Sequence, residues 1–356
     1  MFQKEILIRE EETVKSALKR LDEVATKVLL VVDSDDRFLG AITDGDIRRH
    51  ILKGKSLNDS VSKIYNKHAI SMKKDDFSME LAKEWLITNK VELIPVLDDQ
   101  NRVVNFTTWT EAFSGQGEQF NSKKIDLPVI IMAGGKGTRL DPFTKVLPKP
   151  LIPIGDKTII EIIMEKFSRY GVKDFYISVN HKAKMIKSYF EEMNSKYTVF
   201  YIEEDKPLGT AGSLRFMASK IKDSVIVSNC DIIIDCNYCE IVEFHQMNNY
   251  DITIVGSFRN FVIPYGICEI GSNGLLTNLK EKPEYDFIVN TGMYILNKDV
   301  LKLIPKNEKI DITDLVTKVR SNHGKVGVFP ISEKSWTDIG QWEEYRKVVD
   351  KLHFIR

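Results

Sequence analysis

The chain has 356 residues, enough for two or three domains with cores of their own, and its 51 basic and 51 acidic side chains leave no net charge. That balance argues against a general affinity for nucleic acid or an anionic membrane, so only local basic patches remain to attract anions. No stretch is long and apolar enough for a transmembrane helix, and the N-terminal "MFQKEILIREEETVK" lacks a signal-peptide core, so a soluble cytoplasmic protein is expected.

In chain order, the first signal is an internal repeat. Lys27–Ile47, "KVLLVVDSDDRFLGAITDGDI", aligns without a gap on Glu92–Ala112, "ELIPVLDDQNRVVNFTTWTEA". Asp33 falls on Asp98, Arg37 on Arg102 and Thr43 on Thr108. Upstream, "TVKSALKRL" and "SMELAKEWL" keep the same register and carry helical apolar spacing. Each copy therefore reads as helix, strand, Asp-rich turn, strand, helix. Two copies are too few for an open array and predict a closed pair, each burying a face of the other.

This tandem resembles the cystathionine-β-synthase (CBS) domain pair, with copies at residues 1–58 and 59–118. The resemblance implies that Thr43 and Asp46 of "GAITDGDI" hold the ribose of an adenine nucleotide. The second copy departs from the pattern, with Asn105 for the glycine, Trp109 interrupting and Glu111 for the Asp. One nucleotide site is therefore expected rather than two. A module used only for dimer contacts is the alternative reading, and a homo-oligomer is expected. Residues 119–127 read as a linker to a second domain, 128–356.

That domain opens on "VIIMAGGKGTRLDPFTKVLPKP", Val129–Pro150. The apolar start reads as a buried strand. Gly134, Gly135 and Gly137 then permit a tight turn whose N–H groups converge on an anion, and Lys136, Arg139, Lys145 and Lys149 add positive charge. A polyphosphate is the expected guest. No Gly-Lys-Ser/Thr follows, which excludes a Walker A loop, and Leu140 stands where a dinucleotide fingerprint needs glycine. Pro142, Pro148 and Pro150 argue against a helix starting directly over the anion.

Downstream, apolar strands alternate with amphipathic helices: "TIIEIIMEKFSRYGV", "KAKMIKSYFEEM" and "GSLRFMASKI" read as helices, "DFYISVN", "YTVFYIEE" and "DSVIVSNCDIIID" as strands. The alternation predicts an α/β domain with a mainly parallel sheet, ligands binding beyond the carboxyl ends of its strands. Asp231 and Asp338 are candidates to give one oxygen each to a Mg²⁺ that also takes phosphate oxygens, and Asp235 competes. The four cysteines, at 230, 236, 239 and 268, read as thiols, because Cys236 and Cys239 with His245 lack a fourth zinc ligand. His181 and His245 read as surface or structural residues.

From "MAGGKGTRLDPFTKVLPKPLIPIG" through "PLGTAGSL", "SNCDIIID", "YGICEI", "EKP", "VNTGMYIL", "DITDLV" and "WTDIGQWEEY", the chain resembles the sugar-1-phosphate nucleotidyltransferases, motif after motif in family order. The resemblance implies a Rossmann-like domain of GT-A type with a mixed, mainly parallel sheet. It implies a nucleotide-phosphate loop at Ala133, Gly134, Gly135, Lys136, Gly137 and Thr138, with Arg139 on the triphosphate and Lys149 at the α-phosphate. Gly209, Thr210, Ala211 and Gly212 would line base and ribose, and Asp231 and Asp338 would ligate Mg²⁺. Glu281 would hold a sugar hydroxyl and Lys282 the sugar phosphate, with Gly266, Asn290 and Thr291 completing the pocket. Cys230 departs from the family, which has glycine before the metal Asp. With a CBS pair in front, the whole chain resembles the glucosamine-1-phosphate guanylyltransferases of legionaminic-acid biosynthesis, which implies GTP and glucosamine-1-phosphate as substrates. A mannose-1-phosphate guanylyltransferase or another sugar-nucleotide pyrophosphorylase, and a non-catalytic regulatory nucleotide-binding protein, are the alternatives.

Overall fold

The structure, a computed structural model, describes residues 4–24, 27–89, 91–112, 124–193 and 197–353. The chain divides into two compact units, Met1–Phe120 and Asn121–Arg356. Of the expected linker, residues 119–123 lie outside the described residues. Its end is not linker at all: Ile125 is buried in the second unit's core, its N–H bonded to the Tyr170 carbonyl at 2.9 Å. An apolar side chain in a polar stretch was the overlooked signal.

The first unit contains β1 (Leu7–Arg9), α1 (Val14–Glu23), β2 (Val28–Val32), β3 (Phe38–Thr43) and α2 (Asp44–Leu52), then β4 (Met72–Lys73), α3 (Met79–Asn89), β5 (Leu93–Leu97), β6 (Val103–Thr108) and α4 (Trp109–Ala112). The repeat is structural. β1 runs parallel to β2 and β3 antiparallel to it with Val28 opposite Thr43; in the second copy Leu93 lies opposite Thr108. Asp33 and Asp98 each accept two backbone N–H bonds in their turns, and Asp36 and Asn101 adopt φ of 61° and 60°. The two turns meet through Phe38 N–H on the Asn101 carbonyl, 2.8 Å, as a closed pair requires.

The second unit contains β7 (Val129–Met132), α5 (Phe143–Val146), β8 (Pro153–Ile154), β9 (Lys157–Thr158), α6 (Ile159–Ser168), β10 (Asp174–Val179), α7 (Ala183–Glu192) and β11 (Thr198–Glu203). It continues with β12 (Ser224–Asn229), β13 (Ile232–Ile234), α8 (Tyr238–Met247), β14 (Ile252–Val262), β15 (Ile267–Ile270), β16 (Leu276–Lys280) and β17 (Glu284–Asn297). Last come α9 (Lys298–Lys302), α10 (Ile312–Ser321), β18 (Val326–Ile331), β19 (Trp336–Asp338) and α11 (Trp342–His353). A seven-stranded sheet takes the order β11-β10-β7-β12-β17-β14-β18. Its first four strands are parallel, β17 runs against both neighbours, and β18 is parallel to β14. The mixed, mainly parallel sheet is thus as expected.

Alternation along the strands loads both faces. Val129, Ile131 and Ile226 enter a core with residues of α6, α7 and α8, while Ile130, Val225 and Val227 enter another with residues of α9 and α10. "GSLRFMASKI" forms a 3₁₀ helix, Gly212–Met217, rather than the expected α-helix. Among the described residues no helix is long and apolar enough to cross a membrane.

Candidate active site

Strands β7 and β12 end side by side, with Asn229 in register with Met132. The glycine loop leaves one and Asp231 leaves the other, at the same edge of the sheet. The continuous strand expected through "IVSNCDIIID" instead breaks at Cys230 and Asp231 and resumes as β13. The break lets β13 pair antiparallel with β19, Ile232 opposite Asp338, and the Ile339 N–H bonds to the Asp231 carbonyl at 2.8 Å. Two acids distant in sequence thereby reach one corner.

Cations converge on them. Lys149, 7% exposed, donates to Oδ2 of Asp231, 6% exposed. Arg139, mostly exposed, places its guanidinium 3.5 Å from Asp231 and 4.0 Å from Asp338. Asp338 accepts from the Gly340 N–H at 2.9 Å and from Gln341 at 3.2 Å, which fixes its carboxylate. Gly137 makes the loop's close approach possible: φ is +70°, and a Cβ there would stand 2.9 Å from Thr144 and 3.0 Å from the Lys149 side chain. The expected absence of helix is corrected: Thr138–Leu140 is a 3₁₀ turn and α5 follows Pro142, because proline is well tolerated where a helix begins.

Other expected residues are placed differently. Thr210 is turned toward α10: its N–H bonds to Asp311 Oδ1 at 2.9 Å and its hydroxyl accepts from the Ile312 N–H at 2.9 Å. Ala211 is fully buried, whereas Gly209 needs φ +79° and lies against the Ile310 carbonyl. These residues shape the loop from beneath. Thr291 is buried with its hydroxyl donated to the Val255 carbonyl at 2.8 Å, so it holds β17 to β14 and is not open to a sugar. Asn290 donates to the Tyr294 hydroxyl at 2.7 Å and accepts from the Gly292 N–H at 3.0 Å. Gly266 and Glu281 face each other on the exposed arm beyond the sheet, and Lys282 turns there at φ 43°.

Cys230 belongs to the apolar core, and burial pushes its thiol up to about 12, so it is a neutral packing group. Asp235 points elsewhere, pairing with Lys166 at 3.2 Å. His245 is buried between Thr253, 2.9 Å, and Asn297, 3.3 Å, a structural setting as expected. Sequence reasoning missed Glu204, which lies between the glycine loop and Leu208, and Gly340; the "EE" before "PLGTAG" and the glycine in "TDIG" were their only signals.

In the first unit, Asp46 Oδ2 accepts from the Thr43 N–H at 2.9 Å and its hydroxyl at 2.7 Å, and Oδ1 pairs with Arg49. This is a capping box at the start of α2. Thr108 and Glu111 repeat it at 2.9 Å and 3.1 Å, so Glu111, which stands where the first copy has Asp46, makes the same cap. Gly40 has a backbone reason as well: Tyr65–Asn66 covers the edge of β3, and a Cβ would stand 2.2 Å from the Asn66 carbonyl oxygen.

The family model for nucleotidyl transferase matches residues 128–353, and that for the CBS domain matches residues 1–53. The bifunctional protein GlmU of Methanococcus maripaludis is 35% identical over 227 residues, 61% of this chain and 52% of that protein. The mannose-1-phosphate guanyltransferase of Debaryomyces hansenii is 30% identical over 226 residues, 61% of this chain and 62% of that one. The chain thus spans about half to three fifths of these relatives' lengths. HddC of Yersinia pseudotuberculosis, solved in complex with GMP-PN, superposes with a TM-score of 0.51 at 28% identity, covering 64% of this chain and 99% of that one.

Proposed function

The chain belongs to the nucleotidyl transferase family, and on that premise we propose that it converts a sugar 1-phosphate and a nucleoside triphosphate into a nucleotide sugar and pyrophosphate. The observation that carries this reading is the corner where Lys149, Arg139, Asp231 and Asp338 meet beside the glycine loop. A phosphate oxygen of the sugar attacks the α-phosphorus. One P–O bond forms, the bond from the α-phosphorus to the bridging oxygen breaks, and pyrophosphate leaves with the electron pair. The attacking group is already an anion, so no protein nucleophile or base is needed. What the chain must supply is alignment and charge neutralisation. In this reading Lys149, now bonded to Asp231, would neutralise the α-phosphate, Arg139 would take the leaving phosphates, and Lys282 on the arm would take the sugar phosphate.

Asp231 and Asp338 suit Mg²⁺, a hard cation that takes few carboxylates and completes its shell with phosphate and water oxygens. Asp231 Oδ2, Asp338 Oδ1 and the Lys149 ammonium all lie within 2.8 Å of the point a Cβ on Gly340 would take, with Asp231 Oδ2 held by Lys149. When bound, the ion supplies Lewis-acid charge to the phosphates.

The finer reading is GTP with glucosamine-1-phosphate, giving GDP-glucosamine for legionaminic-acid biosynthesis; its support is the ordered motif likeness behind a CBS domain and the GMP-PN bound by the Yersinia protein. Mannose 1-phosphate is the second reading, favoured by the likeness to the Debaryomyces enzyme. Pyrophosphate release with Mg²⁺, crossing GTP, CTP, UTP, dTTP and ATP with glucosamine-, mannose-, glucose- and N-acetylglucosamine-1-phosphate, decides among them. Turnover of another pair corrects the substrates. Silence across the grid from folded protein refutes the transfer reading and favours a regulatory nucleotide-binding protein.

A further inference from the structure

We propose that the arm beyond the sheet is where two copies of this chain meet, and that this contact fixes the sugar side of the site. The association stands by itself; its consequence for the sugar rests on the transferase reading above. Ten large apolar side chains between Phe261 and Ile288 are 37–74% exposed. At such exposure each shows on the order of 100 Å², so the arm offers roughly 1,000 Å² of apolar surface. The largest apolar patch on a typical monomer covers about 300–600 Å², and a stable complex buries about 800 Å² on each partner.

The hairpin of β15 and β16 shows how this surface is organised. Cys268 lies opposite Leu279 and Ile270 opposite Leu276, so alternation puts all four on one face, and all four are exposed. The other face is polar: Glu269 accepts from Lys280 at 2.7 Å and from Asn278 at 3.2 Å. A two-stranded hairpin is marginal in water until its apolar face is packed. A second copy is the partner that fits. The face carries no charged side chain by which a different protein would be selected, and an apolar face is complementary to itself across a twofold axis. Glu281 and Lys282 follow β16 directly, so a hairpin held by a partner holds them too.

Sedimentation of the full-length protein should show a dimer, and Cys268 supplies a reporter on the face itself, being exposed where Cys230 and Cys239 are buried. Its alkylation by iodoacetamide, read by mass spectrometry, should slow about tenfold or more as protein concentration rises through the dimer range. Ile270→Glu sets a charge on both copies at once. It should weaken association about 100-fold and leave Cys268 reactive at every concentration. Met247→Glu, at a still more exposed site on α8, should change neither. A dimer whose Cys268 reacts equally fast at all concentrations would overturn the proposal and move the contact elsewhere, to the repeat for instance. So would a monomer, which would leave the arm to a partner of different chemistry. In turnover, Ile270→Glu should raise KM for the sugar 1-phosphate about tenfold with KM for the triphosphate unchanged. A dissociated variant with both values unchanged would overturn the link to the sugar site. If the unmutated protein turns over no sugar phosphate at all, the transferase reading falls, while Cys268 still decides the association.

Discussion

Gly340 lies so close to Asp231 that a Cβ at position 340 would stand 2.5 Å from the carboxylate's Oδ2. The same point is 2.7 Å from Lys149 Nζ and 2.8 Å from Asp338 Oδ1. The glycine of "TDIG" is therefore required for space at the centre of the charged corner. Gly340→Ala should push the carboxylates and the ammonium apart. A misplacement of about 1 Å at such a site can cost about 100-fold in rate, so kcat/KM for pyrophosphate release should fall by at least that order. Circular dichroism should show the fold retained; an alanine variant of undiminished activity would refute the assigned corner.

Lys149 and Asp231 are both buried, so removing one leaves the other's charge uncompensated. Breaking a buried pair in this way costs about 3–5 kcal/mol. Asp231→Asn should therefore lower stability in urea as well as abolish turnover. The double variant Lys149→Met with Asp231→Asn should recover part of the stability and none of the activity. A single variant that is inactive but as stable as the unmutated chain would separate the pair from the fold.

His245 gives stability a pH dependence of known sign. Burial lowers its pKa below the ordinary 6.5, outweighing the Asn297 hydrogen bond and the nearby Asp223 and Asp251 charges, which favour the charged ring. Its contribution is complete above the unfolded value and is lost as pH falls through the depressed folded value. Unfolding free energy should therefore drop on acidification below pH about 6.5 by more in the unmutated chain than in His245→Gln. Parallel curves for the two proteins would show that His245 does not titrate on unfolding.

Thr43 and Thr108 cap corresponding helices in the two repeats. Thr43→Val and Thr108→Val should each cost about 1 kcal/mol in denaturant unfolding. Because Asp46 is already bonded to Thr43 and Arg49, calorimetry with AMP or ATP on the full-length chain tests whether that corner also binds adenylate. Binding that Asp46→Ala abolishes without a matching loss of stability would restore the ligand reading; no binding by the unmutated chain would favour the dimer-contact one.

The glycine loop was legible because its chemistry is local. Gly137 and Lys149 lie within one stretch, and glycine's backbone freedom beside basic residues has few other uses. The repeat was legible because an ungapped match carries its hydrogen-bond pattern with it, down to the turns at Asp36 and Asn101. The roles of Thr291, Thr210 and Asp46 were not, since a hydroxyl or carboxylate has the same letter whether it meets a ligand or a backbone amide. The Val255 carbonyl, Asp311 and the Thr43 N–H claim those groups, and two of these partners come from distant segments.

By itself the sequence determined two domains, the alternation that loads both faces of a sheet, and a phosphate-type loop at a strand's end. These follow from period, spacing and backbone freedom, which act between near neighbours. The tertiary structure decided which acids share a corner. Pairing of β13 with β19 brings Asp338 to Asp231, and the same fold sets Glu204 against Gly134 and lets Gly340 fit between charges. Such contacts depend on register between strands far apart in the chain, and register is fixed only when the whole sheet closes on its core.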